Sequence, residues 1–270
     1  MNNETYHARP ELSNSMMTKL LKSPAHLKYY LDHPEQREPT PAMILGTQVH
    51  TMLLEPEEAD FVRAPKDRRT KEGKAQYAEL LETYPASSII KSDTYDQIEG
   101  MVESVLSNPT ASSIINSAQS DGWIEDSIFW TDVSGVACKA RIDAIPSSAS
   151  IYNDCLVDFK TTGTGADLET FSKTVFNFGY HRQGSHYLDG WNTRNPDEQR
   201  DNFLIIVCES KPPYLTAIYE LDAEAIEMGA YEVERLRELY ADCLASDTWE
   251  GYPKAIQTLE LPAWASARIG

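Results

Sequence analysis

Within the short apolar run CLVDFK, Asp158 and Lys160 set a carboxylate and an ammonium two positions apart, with Phe159 between them. Side chains on a strand alternate faces, so Asp158 and Lys160 point the same way while Phe159 turns into the core. The preceding strand candidate carries Arg141-Ile142-Asp143-Ala144, in which Asp143 faces away from Ile142. If the two segments pair, the two aspartates converge. Close carboxylates repel unless a cation or a proton joins them. Hard oxygen ligands without clustered imidazoles or thiolates suit Mg²⁺, with Mn²⁺ as a substitute. A lysine beside such an ion can orient or deprotonate an attacking water and steady the charge growing on a phosphate, while the metal polarises the phosphoryl oxygen.

Each piece alone has an ordinary structural reading. Asp-x-Lys on a strand is commonly a surface ion pair. His50, in Gly46-Thr47-Gln48-Val49-His50, lies on an apolar helix, where a histidine is commonly a hydrogen-bonded core residue. Gln183 and Tyr187 stand one helical turn apart and present one polar edge, a common helix pairing. Glu125, opening a strand, is a weaker supporting acid with no role fixed by its spacing.

The elements that must position these residues fall into three stretches. Up to about residue 120 the pattern is helical. Ser13 or Asn14 caps a helix through Leu21, Pro24 suits the first turn of the next, and Met43–Leu54 is an apolar helix stopped by Pro56. Lys71–Tyr84 and Thr94–Leu106 have helical spacing, with Pro85 and Pro109 as punctuation. Ile124–Thr131 and Val136–Ile145 then alternate like strands around Asp132-Val133-Ser134-Gly135, and Cys155–Lys160 is a third strand. A helix pair near 167–176 and 179–193, strands Phe203–Cys208 and Tyr214–Leu221, and a helix over 223–244 complete the order. A mixed α+β fold follows: a central mixed β-sheet flanked by helices, with a helical N-terminal elaboration.

Composition bounds the rest. The chain has 270 residues, 41% hydrophobic and 24% charged, which is enough for a core. No Pro/Gly/Ser-rich linker divides it, so one domain over 1–270 is expected: 1–120 carrying His50, 121–221 the sheet core, and 222–270 a C-terminal helix and tail. Cys138, Cys155, Cys208 and Cys243 are scattered, so zinc and iron–sulfur ligation lack support and the thiols read as buried and reduced. The polar N-terminus lacks the apolar core of a signal peptide, and no apolar run approaches the ~20 residues of a membrane span, so a soluble cytoplasmic protein is expected. The formal net charge of -18 argues against coating nucleic acid by bulk electrostatics, because such affinity comes from cations neutralising phosphates. Any DNA contact must be local, and Arg63 to Lys74, including Arg68, Arg69 and Lys71, is a basic stretch that could supply it.

Taken in order, Gly46-x-x-x-His50, Arg141-Ile142-Asp143, Asp158-x-Lys160 and Gln183-x-x-x-Tyr187 resemble the RecB-type branch of the PD-(D/E)XK nuclease superfamily. More narrowly, LSNSMMTKLLKSPAHLKYYL, RRTKEGKAQ and FWTDVSGVACKARIDAI resemble the RecE-type (exonuclease VIII-like) catalytic domain, with similarity from about Leu12 to Leu221. The resemblance implies a PD-(D/E)XK core in which His50, Asp143, Asp158 and the Phe159 backbone carbonyl bind Mg²⁺ and Lys160 is catalytic. It further implies that Gln183 and Tyr187 support the lysine or contact DNA, as Arg141 and Glu125 also could. Family members often have Glu where this chain has Asp158, a difference of one methylene that RecB-type members tolerate. The implied activity is exonucleolytic attack on linear double-stranded DNA, 5′ to 3′, leaving 3′ single strands for an annealing protein in recombination of the phage type. A ring-shaped homo-oligomer is implied too, and enclosure of DNA would replace part of the affinity that an acidic chain lacks. An endonuclease or single-strand nuclease of the same superfamily, or an inactive DNA-end-binding protein, are the alternatives; the cysteines of cluster-binding single-strand nucleases are absent. Ser13 and Ser15 could hold a 5′-phosphate at a helix N-terminus with Arg9 or Lys19 nearby, although N-capping by Ser13 is the simpler reading.

Overall fold

Hydroxyl caps start the N-terminal helices. After α1 (Asn3–Ala8), Ser13, Ser23 and Thr40 accept backbone N–H bonds at the starts of α2 (Asn14–Leu20), α3 (Pro24–Asp32) and α4 (Pro41–Leu54). In this computed structural model the described residues are 1, 3–36 and 38–261, the side chains of 3, 4 and 35 excepted, so the expected tail beyond 261 lies outside them. β1 (Val62–Arg63) and β2 (Ile89–Ile90) form a small parallel pair on either side of α5 (Lys71–Thr83). α6 (Ser92–Ser107) is followed by α7 (Pro109–Asp121), which the sequence pattern does not reveal. Pro109 is the first residue of that helix rather than a break: Asn108 Oδ1 accepts from the N–H groups of Thr110 and Ala111, and proline at this position forfeits no hydrogen bond.

The sheet has the order β3-β4-β5-β6-β7: β3 (Trp123–Thr131), β4 (Ala137–Ile145), β5 (Cys155–Thr162), β6 (Asn202–Glu209) and β7 (Thr216–Glu220). Only β5 and β6 run parallel; the other neighbours are antiparallel. The β3–β4 turn is closed by Asp132 Oδ1, which accepts from the N–H groups of Ser134 and Val136, and by Gly135 at φ 84°, a conformation that favours glycine. The crossover from β5 to β6 is the expected helix pair, α8 (Leu168–Phe178) and α9 (Tyr180–Arg194), and α10 (Ala223–Ser246) follows the sheet.

Strand alternation gives the sheet two apolar faces. Leu156, Phe203, Ile205 and Val207 pack with Met17 of α2, Leu188 and Trp191 of α9, and Val233 and Leu236 of α10. Val157, Phe159, Leu204 and Ile206 pack with Val49 of α4, Ile98 and Met101 of α6, and Ile114 of α7. The result is a mixed sheet between two helical layers. All four cysteines are buried and free, as their spacing suggests. No helix among the described residues is long and apolar enough to cross a membrane.

Candidate active site

The site lies where β4 and β5 part. Those strands share one paired position, Ala144↔Val157, and beyond it the Phe159 N–H donates to Asp143 Oδ2 at 2.8 Å instead of to a β4 carbonyl. A backbone donor buried in a sheet needs a partner, so the parting of the strands and the position of the Asp143 carboxylate are one feature. A residue on an extended strand directs its N–H and C=O to the same edge, so the Phe159 carbonyl also faces β4. Asp143 comes from the face that α4 covers. Asp158 and Lys160 share the opposite face with Leu156, toward α9.

From α4, His50 Nε2 lies 3.2 Å from Asp143 Oδ2 and 3.1 Å from Glu125 Oε1. Gly46, one turn earlier, permits this approach: a Cβ there would stand 3.2 Å from Thr161 Oγ1 of β5. Glu125 owes its position to a break in strand geometry. Its φ is 52°, in the left-handed region that a side chain adopts at a cost, and the β3–β4 register passes from Ile124↔Ala144 to Asp126↔Ile142 without pairing it. That conformation sets the residue beside His50, and its carboxylate is ion-paired to Arg141 on the neighbouring strand. Potential ligand atoms of His50, Glu125 and Asp143 all fall within 4.8 Å of one another, a grouping that can hold a metal ion.

Beside that group, Asp158 is buried, with Oδ1 accepting from Gln183 Nε2 at 2.5 Å and Oδ2 lying 2.5 Å from Lys160 Nζ. Oδ2 is sealed from solvent and is taken up by the Lys160 ion pair. Lys160 Nζ also stands 4.9 Å from the centre of the Tyr180 ring.

The electrostatics follow from these contacts. Burial works against a charged His50, but Asp143 first and Glu125 next outweigh it and raise its pKa to about 9. Burial, joined by the Asp143 charge, raises Glu125 to about 7 against the pull of His50 and Arg141. Asp143 stays low despite burial because His50, Lys160 and the Phe159 N–H all favour its anion. Burial raises Asp158 to about 6 even with Lys160 opposing. Burial would lower Lys160, yet Asp158 and Asp143 raise it, so it is an ammonium at neutral pH. At neutral pH the His50 imidazole is thereby favoured in its protonated form, and the oxygen and imidazole donors of the group fit Mg²⁺ or Mn²⁺.

The residues singled out in the sequence are distributed as follows. His50, Asp143 and Glu125 meet, and Arg141 joins them through Glu125. Asp158 belongs to a second set with Lys160 and Gln183. Tyr187 lies behind Gln183, with burial pushing its hydroxyl well above the usual tyrosine range. Ser13 uses its hydroxyl on the Met16 N–H at 3.4 Å and lies 3.0 Å from Ser15 Oγ; Arg9 is ion-paired with Glu11, and Lys19 lies over the Tyr30 ring. Arg68 packs over Tyr77, Arg69 pairs with Asp67, and Lys71 opens α5, all on exposed surface. Tyr180 is an addition that spacing alone could have suggested, since it stands three residues before Gln183 and so shares its helix face. The place of Glu125 is beyond strand alternation, which cannot foresee a residue with positive φ.

No curated protein matches the chain. The fold is similar to a crystal structure from Eubacterium rectale described as a "Putative exonuclease", with a TM-score of 0.59 over 94% of this chain and 96% of that one, at 13% identity. Residues 13–262 match the family described as "PDDEXK-like domain of unknown function (DUF3799)", a span that contains His50, Glu125, Asp143, Asp158 and Lys160. The mixed sheet, its helical layers and this match together place the chain in that PDDEXK-like family.

Proposed function

We propose that the protein is a divalent-metal-dependent nuclease that digests linear double-stranded DNA from its ends. The observation that carries this reading is the convergence of His50, Glu125 and Asp143 beside the buried Asp158–Lys160 pair, in the gap between β4 and β5. Membership of a PDDEXK-like family and a structural neighbour described as a "Putative exonuclease" support it. Attack from the 5′ end, 3′ single-stranded products for an annealing protein in recombination and a ring-shaped homo-oligomer extend the proposal on the RecE-type resemblance.

His50, Glu125 and Asp143 would hold the ion, with Asp158 and the Phe159 carbonyl on its other side. A bound Mg²⁺ or Mn²⁺ supplies Lewis-acid polarisation of the phosphoryl oxygen and lowers the pKa of a water. Hydrolysis forms a bond from the water oxygen to phosphorus and breaks one ester P–O bond, whose oxygen leaves with a proton. Lys160, held as an ammonium by Asp158, donates hydrogen bonds at the reacting phosphate and offsets its growing negative charge. Gln183 fixes the Asp158 carboxylate and so keeps the lysine in place.

The test incubates 5′-phosphorylated linear duplex, linear single strand and covalently closed circles with Mg²⁺, for the wild type and Lys160→Ala. Loss of linear duplex alone, abolished in the variant, is the expected result. Nicking of circles would make the protein an endonuclease, and degradation of single strands alone would remove the duplex claim.

A further inference from the structure

Glu125 reaches the site from a backbone conformation that does not by itself aim a carboxylate. What aims it is on the adjacent strand. Arg141 pairs with Ser127 across β3–β4, one strand repeat from Glu125, and its Nε is ion-paired with Glu125 Oε2. The other oxygen, Oε1, is the one that stands 3.1 Å from His50 Nε2. The two oxygens of one carboxylate are therefore divided, one toward the guanidinium and one toward the cluster. The guanidinium is itself confined, with the Tyr6 ring centre 5.9 Å from its carbon. Its Nη1 is sealed from solvent without a hydrogen-bond partner among the described residues, a deficit that costs stability. Arg141 thus sits in a pocket that does not satisfy it fully, and Glu125 is the carboxylate that holds it there.

We propose that Arg141 is the positioning residue of the metal centre: by engaging Oε2 it presents Glu125 as a one-oxygen ligand through Oε1, completing the set with His50 and Asp143. This rests on the proposed metal-dependent chemistry of the same site. It makes Glu125 a ligand whose value depends on Arg141, a role that the family resemblance does not give it. A lysine cannot replace the guanidinium fully, because an ammonium lacks the planar fork that sets the direction of a carboxylate.

The test is a double-mutant cycle read by Mg²⁺ and Mn²⁺ binding in the absence of DNA, so that it does not depend on cleavage. Arg141→Gln is expected to weaken metal binding tenfold to about a hundredfold, the usual cost of removing a group that orients a ligand. Arg141→Lys should fall between this variant and the wild type. On a Glu125→Gln background, Arg141→Gln should have no further effect, since its action passes through Glu125. Thermal melts of the metal-free proteins check that each variant folds, and Arg141→Lys keeps the test open if Arg141→Gln does not. Tighter metal binding in Arg141→Gln would show that the arginine is only a competing cation. An equal loss with Glu125 present or already replaced would show that it acts by another route; either result overturns the proposal. Failure of the wild type to bind either metal would instead remove the metal-dependent reading beneath it.

Discussion

If His50 is a ligand of the proposed metal site, proton and metal compete for it, and the size of that competition follows from the geometry. Two carboxylates within 3.2 Å of Nε2 raise the imidazole pKa to about 9, so at pH 7 the metal-free site is almost wholly imidazolium. An ion that takes Nε2 must release this proton. Release of the His50 proton alone should accordingly raise apparent Mg²⁺ affinity about ninefold from pH 7 to 8 and about fivefold more from pH 8 to 9, roughly fiftyfold or about 2.3 kcal/mol in all, and level off above. From about pH 8 downward the dependence should steepen, because Glu125, at about 7, takes up a second proton. Isothermal titration with Mg²⁺ at pH 7, 8 and 9, in buffers of different ionisation enthalpy, measures affinity and proton release together. At pH 8 close to one proton should leave per ion bound. Affinity that is flat from pH 7 to 9, or binding without proton release, would refute the assignment of His50 as a ligand. His50→Gln should bind more weakly at pH 9 and show little of the slope.

Three further outcomes test other parts of the molecule. Gly229→Ala places a Cβ 2.3 Å from the His181 carbonyl oxygen and 2.5 Å from Ser185 Oγ where α9 meets α10; overpacking of this kind costs about 1–3 kcal/mol or more, and unchanged urea stability would mean that the helices are not this close. Buried His186 lies 3.1 Å from the Lys139 carbonyl through Nε2 and accepts from Arg237 Nη2 at 3.0 Å through Nδ1; burial first, then Arg237, depresses its pKa to about 3. The unfolded chain therefore takes up this proton first. Its contribution is full above the ordinary histidine pKa of about 6.5 and falls as pH drops toward 3, by about 2 kcal/mol between pH 7 and 5. Urea titrations at both pH values should show that difference shrinking in His186→Gln. Replacing Arg68, Arg69 and Lys71 by Ala should weaken duplex binding most at low salt and flatten the plot of log affinity against log salt by about 0.9 for each phosphate no longer neutralised; an unchanged slope would place these cations away from DNA.

Much of the sheet is readable because its pattern is local. Alternation locates the β3–β4 hairpin and β5, and it places Asp158 and Lys160 on one face with Phe159 on the other. The helix pair between β5 and β6 follows from spacing in the same way. α7 is hidden because proline at the first helical position and proline as a breaker look alike until the Asn108 cap is seen. Glu125 is obscured for a backbone reason, since one residue at φ 52° shifts which face its side chain meets.

The amino-acid sequence alone determined which chemical groups are available and which of them share a face, because side-chain direction along a strand or helix depends on near neighbours. It also carried the ordered motifs on which the resemblance to PD-(D/E)XK nucleases rests, within the span that matches a PDDEXK-like family. Which groups meet was settled by tertiary structure. The parting of β4 from β5 freed the Phe159 N–H for Asp143, the small Gly46 let α4 bring His50 to the sheet, and Glu125 meets His50 with one carboxylate oxygen and Arg141 with the other. Asp158 was drawn to Lys160 and Gln183 instead. Those contacts join residues up to about a hundred positions apart, and their distances depend on how strands and helices pack, which no local period encodes.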